Sequence, residues 1–134
     1  MTRVAITRAE PEASRTAERV RARGAEAIVA PLLTIVPCAY NTNTEGAQAI
    51  IFTSTNGVRA FPDVRGARDR IVLTVGDATA EAALEAGFAD VRSADGDVVA
   101  LAALAKATLD PAKGTLVHIA GDHVAGDLGG ELRA

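Results

Sequence analysis

Short apolar runs alternate with segments of helical period along most of this chain, and that alternation constrains its fold most strongly. Apolar runs at Val4 to Thr7 and Ala27 to Ala30 flank a segment whose apolar residues fall on one helical stripe. Pro11 suits the first turn of that helix, and Gly24 suits its end. The start of the chain therefore predicts a strand, a helix and a second, parallel strand joined by a right-handed crossover.

The periodicity lapses over residues 35–47, where Pro37 and Cys38 are followed by the polar string NTNTEG. Neither a helical nor a strand period continues across this stretch. It is the candidate linker of the chain.

Periodicity returns after the candidate linker. Four further strands are predicted at Ala49 to Phe52, Ile71 to Val75, Asp90 to Ser93 and Thr115 to Ala120. Three helices are predicted between these strands: the first is opened by the loop TSTNG and closed by Pro62, the second ends at Gly87, and the third is capped by Asp97. The terminal string GDLGGELRA predicts the beginning of a fourth helix. Strands and helices alternating at this length predict an α/β fold with a doubly wound parallel sheet.

Composition and charge argue against several classes of partner. The chain carries 14 basic and 17 acidic side chains, for a net charge of −3, and it has no basic run of the kind that nucleic-acid binding uses. No apolar run approaches the roughly 18 residues of a membrane span. Cys38 is the single cysteine, so an intrachain disulfide is impossible. We expect no nucleic acid, no membrane and a cytoplasmic location.

Four predicted strand ends carry the candidate binding residues. In open α/β sheets, ligands bind beyond the carboxyl ends of the strands. These ends hold Thr7 with Arg8, Thr53 to Gly57, Gly76 to Thr79, and Gly121. Hydroxyls, glycines and free N–H groups at helix starts bind anions such as carboxylates or phosphates without a cationic side chain. The structural alternative at each loop is that these residues merely cap helices.

The string TSTNGV is the most specific of these loops. Gly57 would permit a close backbone approach or a positive φ angle, and Asn56 can bond its own backbone or a ligand. Arg8 has three open alternatives, which are a ligand carboxylate, solvent, or an ion pair with Glu10.

Familiar catalytic and cofactor motifs do not occur. His118 in a strand and His123 in the next loop provide too few ligands for a metal, which favours structural or exposed histidines. Cys38 has no histidine placed by sequence to activate it. No GxGxxG follows the first strand, and the KGT string at Lys113 lacks a phosphate-binding glycine loop. We therefore expect no metal and no cofactor.

Taken in order, three strings resemble the uroporphyrinogen-III synthase family. They are TRAEPEASRTAERVRARGAEAIVAPLLTI, IIFTSTNGVRAF and VGDATAEAALEAGF. The residues standing on the family's characteristic positions are Thr7, Arg8, Pro31, Leu32, Phe52 to Val58, Val75, Gly76, Thr79 and Ala80. One departure is Ala9, where the family often has proline; Pro11 can take over the helix start.

The resemblance implies two flavodoxin-like α/β domains joined by a linker. On that template residues 1–34 form a partial first domain, residues 35–47 the linker, and residues 48–134 a second domain whose C-terminal end is incomplete. The family's remaining first-domain strands are expected to be missing from this chain.

The resemblance also implies a reaction. Such enzymes cyclise hydroxymethylbilane, a linear tetrapyrrole polycarboxylate, to uroporphyrinogen III with loss of water and inversion of the terminal pyrrole, and act as monomers without a cofactor. The implied substrate-binding residues are Thr7, Arg8, Thr53, Ser54, Asn56, Gly57, Gly76, Thr79 and Gly121. Two alternatives stay open. One is an inactive truncated fragment that self-associates through an exposed strand edge, and the other is a flavodoxin-like domain that binds a phosphate or nucleotide.

Overall fold

The computed structural model of the chain describes residues 1–39, 43–124 and 126–134. The chain divides into two compact units, Met1–Ala39 and Tyr40–Ala134. Residues 40–42 of the predicted linker lie outside the described residues. The predicted domain boundaries therefore stay a prediction.

The first unit is a parallel βαβ motif, as predicted. Strands β1 (Arg3–Ile6) and β2 (Glu26–Val29) pair in parallel, and helix α1 (Glu12–Arg21) crosses between them. Ala13 and Ala17 lie one helical turn apart on α1 and are fully buried against the strands. Their small side chains let the helix pack closely on the sheet, which explains why the apolar stripe consists of alanine.

The second unit holds the remaining elements. They are β3 (Ala47–Phe52), α2 (Thr55–Ala60), α3 (Val64–Ala67), β4 (Ile71–Thr74), α4 (Asp77–Ala86), β5 (Asp90–Ser93), α5 (Val98–Thr108), β6 (Thr115–Ile119) and α6 (Leu128–Arg133). The four predicted strands are confirmed, with ends that differ by at most two residues. Helix α3 and a 3-10 turn at Pro111–Lys113 were not predicted, because both are too short to show a helical period.

The four strands of the second unit form one parallel sheet in the order β5-β4-β3-β6. The chain moves outward from β3 to β4 and β5, then returns to place β6 on the other side of β3. Crossovers between parallel strands are right-handed as a rule, so this reversal is expected to put α5 on the opposite face from α2 and α4, and the two separate core clusters show that it does. The predicted doubly wound α/β sheet of flavodoxin-like class is confirmed, and its topological switch point lies between β3 and β6.

Each face of this sheet has its own core. On one face Phe52 of β3 meets Phe61 and Phe88, with ring centroids 5.7 to 5.8 Å apart. On the other face Ile51 packs with Leu101 of α5 and the rest of the α5 and α6 cluster. Ile51 and Phe52 both have no exposed surface, so β3 is covered on both sides. That burial explains why its sequence reads as a continuous apolar run.

Aspartate caps set most of the helix starts in this unit. Asp97 accepts a hydrogen bond from the N–H of Ala100 at 2.9 Å, which confirms the predicted start of α5. Asp63 and Asp127 cap α3 and α6 in the same way. Gly87 ends α4 with a φ of +114°, as its predicted role as a helix stop requires.

Gln48 fixes the start of β6 against β3. Its side-chain amide donates to the carbonyl oxygens of Asp110 and Gly114, both at 2.8 Å, and accepts from the N–H of Asp110 at 3.3 Å. The β3–β6 register is irregular between Ala47 and Ala49, on either side of this glutamine. The clamp therefore holds the two strands that flank the switch point.

Exposed apolar side chains gather after β2 in the first unit. They are Leu32, Leu33, Ile35 and Val36, which are between 45% and 76% exposed. Within the described residues no helix combines the length and apolar character needed to cross a membrane. Self-association through an exposed strand edge stays a prediction.

The aromatic core predicts a large stability difference between two positions near the end of α4. We expect Phe88→Ala to lower the free energy of unfolding by about 3 to 5 kcal/mol, because it removes one ring of the Phe52–Phe61–Phe88 cluster. Leu84→Ala is the matched control, since Leu84 is 53% exposed, and should cost less than about 1 kcal/mol. Urea unfolding followed by circular dichroism measures both; equal losses would contradict this account of the core.

Candidate functional site

The carboxyl edge of the larger sheet gathers three of the predicted loops. Thr53 follows β3, Gly76 follows β4 by two residues, and Gly121 follows β6 by two residues. Because β3 lies between β4 and β6, the three loops stand side by side, with neighbouring strands about 5 Å apart. This edge is therefore the candidate site of the second unit.

Ser54 caps helix α2, so the alternative that these residues merely cap helices holds for part of this loop. Its Oγ accepts a hydrogen bond from the N–H of Gly57 at 3.4 Å, and its backbone is extended. The side chain is nevertheless exposed. Since a hydroxyl has one proton as well as its acceptor lone pairs, Ser54 can cap the helix and still donate to a ligand.

Gly57 allows a close backbone approach at the switch point. A Cβ atom at this position would lie 3.2 Å from the carbonyl oxygen of Ile119 and 3.4 Å from the ring of Phe52. Gly57 lies inside α2, so the close approach is the relevant one of its two predicted roles, and a positive φ is not. Asn56 precedes it in the same helix and is half-buried. Contact of either residue with a ligand stays a prediction.

Helix α4 begins differently from its neighbours. Side chains cap α2, α3, α5 and α6, whereas among the described residues no side chain bonds to the start of α4 at Gly76. A Cβ atom at Gly76 would meet nothing within 4 Å, so the space in front of this helix end is open. The first-turn N–H groups of a helix lack intrahelical acceptors and carry its positive dipole end. This end can therefore bind an anion.

Thr74 supports that helix end, and the sequence reasoning missed it. Its side chain is completely buried, and its hydroxyl donates to the carbonyl oxygen of Gly76 at 3.1 Å. The sequence feature that could have revealed Thr74 is a hydroxyl-bearing residue at the last position of an apolar strand. Thr79, which was predicted, is only 6% exposed and shares the inner stripe of α4 with Ala83. It would meet a ligand through its backbone N–H rather than through an exposed hydroxyl.

His118 contacts Thr53 across the two central strands. Nε2 of His118 lies 3.2 Å from Oγ1 of Thr53, and the contact is partly buried. Burial lowers the pKa of the His118 imidazole, so the ring is neutral at physiological pH. No cluster of three or more metal-ligating side chains occurs in the described part of the chain. The sequence alone indicated a structural or exposed histidine and did not identify this partner.

Acidic side chains also follow the strands at this edge. Asp77 begins α4, Asp97 caps α5, and Asp122 follows β6. Arg92 of β5 forms an ion pair with Asp90 at 2.9 Å, and its hydrogen bonds lower the pKa of that carboxyl. The loops after β3 and β4 themselves offer an anion backbone N–H groups and hydroxyls.

Thr7 and Arg8 follow β1 in the first unit and are both exposed. The carbonyl of Thr7 accepts from the N–H of Leu32 at 3.0 Å, and the guanidinium of Arg8 donates to the hydroxyl of Thr16 at 3.4 Å. Glu10 is bonded to Ser14, so the considered pairing of Arg8 with Glu10 is not the contact observed. Binding of a ligand by Thr7 and Arg8 stays a prediction.

An open depression of about 440 Å³ lies elsewhere on the second unit. It is lined by α3 and by the C-terminal end of α4, including Arg65, Arg68 and Gly87. Helix α4 starts at the carboxyl edge of the sheet and runs away from it, so this depression is distant from the candidate site.

Comparison with known proteins identifies the family. No curated protein matches the chain. A family model described as uroporphyrinogen-III synthase HemD matches residues 14–134. These residues include the whole second unit and most residues of the first unit. The chain therefore belongs to the uroporphyrinogen-III synthase family, as its three motif strings indicated.

Proposed function

We propose that this protein is a cyclising lyase that converts hydroxymethylbilane to uroporphyrinogen III, with loss of water and inversion of the terminal pyrrole ring, in the cytoplasm. Family membership over residues 14–134 carries the proposal. The gathering of Thr53, Ser54 and Gly76 at one edge of the sheet supports it, because that edge is where open α/β sheets bind their ligands.

The catalytic task is largely conformational. Loss of the terminal hydroxyl leaves a reactive cation, and closure without an enzyme yields the symmetric isomer. A protein that holds the two ends in the less accessible geometry selects the other closure, because bound reactants no longer sample competing orientations. The reaction therefore depends chiefly on where the carboxylate side chains of the substrate are held.

The carboxyl edge offers two kinds of donor for those carboxylates. The open N-terminal end of α4 presents backbone N–H groups in front of Gly76, and the hydroxyl-bearing Thr53 and Ser54 follow the neighbouring strand β3. Fixed backbone dipoles bind an anion with little reorganisation. In this proposal Asn56, Gly57, Thr79 and Gly121 complete the contact surface.

In this proposal the acidic residues at the same edge stabilise the positive charge that develops on the substrate. Asp77 and Asp122 repel carboxylates at long range but stabilise a cation that develops nearby. The proposal therefore assigns the substrate carboxylates to N–H and hydroxyl donors, and the developing positive charge to the acidic side chains. Thr7 and Arg8 of the first unit are assigned to the substrate by the resemblance alone.

Isomer analysis tests the proposed reaction directly. Freshly prepared hydroxymethylbilane is incubated with the protein, and the oxidised products are separated by chromatography. We expect the type III isomer in excess over a protein-free control. Type I product alone, at the spontaneous rate, would contradict the proposal. Thermal stabilisation by phosphate or flavin ligands and not by the tetrapyrrole would favour a phosphate or nucleotide binder instead.

The open end of α4 predicts the effect of a bulky substitution. Gly76→Leu should be tolerated by the fold, since Gly76 has an ordinary extended backbone and free space in front of it. The new side chain would cover the N–H groups, and we expect the rate of type III formation to fall by about tenfold or more, as charged hydrogen bonds are lost.

Ala107→Leu is the matched control for this substitution, because Ala107 is exposed near the end of α5, at the opposite edge of the sheet. It should leave the rate unchanged. Thermal unfolding of both variants checks that they fold. Equal rates for Gly76→Leu and the unmodified protein would remove the α4 end from the site.

A further inference from the structure

We propose that His118 is a positioning residue: its Nε2–H donates to Oγ1 of Thr53 and thereby turns the Thr53 hydroxyl hydrogen toward the substrate carboxylates. The inference rests on the proposed function for the identity of the ligand. It assigns a role to a histidine that the sequence pattern indicated to be merely structural or exposed.

The geometry places the pair at the switch point. His118 of β6 is in register with Ile51 of β3, and Thr53 follows two residues after Ile51 on the same face of the sheet. The Nε2 to Oγ1 distance of 3.2 Å is within hydrogen-bonding range. Thr53 is half-buried and is followed by the exposed Ser54 at the carboxyl edge of the sheet, so the residue is partly open to solvent there.

Proton counting decides the direction of the bond. A threonine hydroxyl has one proton, and a neutral imidazole carries one proton on its two nitrogens. If Thr53 donates to Nε2, only its lone pairs remain for a ligand, and lone pairs repel a carboxylate. If Nε2–H donates to Oγ1, the hydroxyl proton is free to point outward. A site for a polycarboxylate therefore requires the histidine to be the donor.

Burial favours a stable arrangement of this pair. The His118 ring is half-buried, and desolvation lowers its pKa, so that a neutral ring rather than an imidazolium accompanies Thr53 at physiological pH. The tautomer of a neutral ring is set by the hydrogen bond that it makes. With the proton on Nε2, the pair is arranged before the ligand arrives, which lowers the cost of orienting the hydroxyl on binding.

The tautomer is measurable without any ligand. Long-range proton–nitrogen correlation spectra of nitrogen-labelled protein, recorded at mildly alkaline pH, distinguish a proton on Nε2 from one on Nδ1. His123→Gln assigns the two histidine signals, since His123 is exposed in the β6–α6 loop. We expect the His118 proton on Nε2. A proton on Nδ1 would make Thr53 the donor and overturn the inference whatever the protein catalyses.

Substitutions test the positioning role. We expect His118→Leu to raise the KM for hydroxymethylbilane about threefold to tenfold, with a smaller change in kcat, as for the loss of one hydrogen bond. His118→Gln keeps an N–H donor and should retain most of the affinity. In a Thr53→Val background, His118→Leu should have little further effect, because the two residues act through one contact. His123→Gln should leave KM unchanged.

The outcomes separate this inference from the proposed function. Absence of type III product from the unmodified protein removes the proposed function, while the tautomer still decides the direction of the hydrogen bond. An active protein in which His118→Leu and Thr53→Val have additive effects, or in which His118→Gln is as impaired as His118→Leu, overturns the inference alone.

Discussion

The right-handed crossover is the constraint from which the arrangement of the larger unit follows. Three consecutive strands, β3 to β5, are laid down in one direction, and the return to β6 on the far side of β3 keeps the same hand only if α5 crosses the opposite face. Two apolar faces are thereby covered, and β3 is buried between them. The same reversal separates the loops after β3 and β6, which opens the crevice where a ligand can bind.

Close packing at that crevice depends on a few particular residues. Gly57 lets α2 lie against the carbonyl of Ile119, and a larger residue there would push the helix away from the end of β6. Gln48 clamps the opposite end of the same strand pair through three hydrogen bonds to the loop before β6. The polar pair of Thr53 and His118 then joins the two strands beside the crevice. The packing contacts and the polar contact beside the candidate site thus lie on one strand pair, β3 and β6.

The charge pattern of the candidate site follows from how each helix begins. Aspartates cap α3, α5 and α6, so the positive ends of those helices are already neutralised within the protein. Helix α4 instead begins at Gly76 with open space before it, and the buried Thr74 holds that glycine from behind. In the proposed function, a net negative chain binds an acidic tetrapyrrole through these local dipoles, since net charge acts mainly at long range.

Local signals in the sequence determined the strands, the helices other than the short α3, and the helix ends at Asp97 and Gly87, because apolar period and capping residues act within a few residues of chain. The motif strings likewise indicated the family. Only the tertiary structure decided that β6 lies beside β3, that Thr79 is buried, and that Arg8 reaches Thr16. The pairing of Thr53 with His118 spans 65 residues of sequence, and no local pattern specifies such a contact. It arises because the hand of the crossovers and the burial of both sheet faces together leave one place for the last strand.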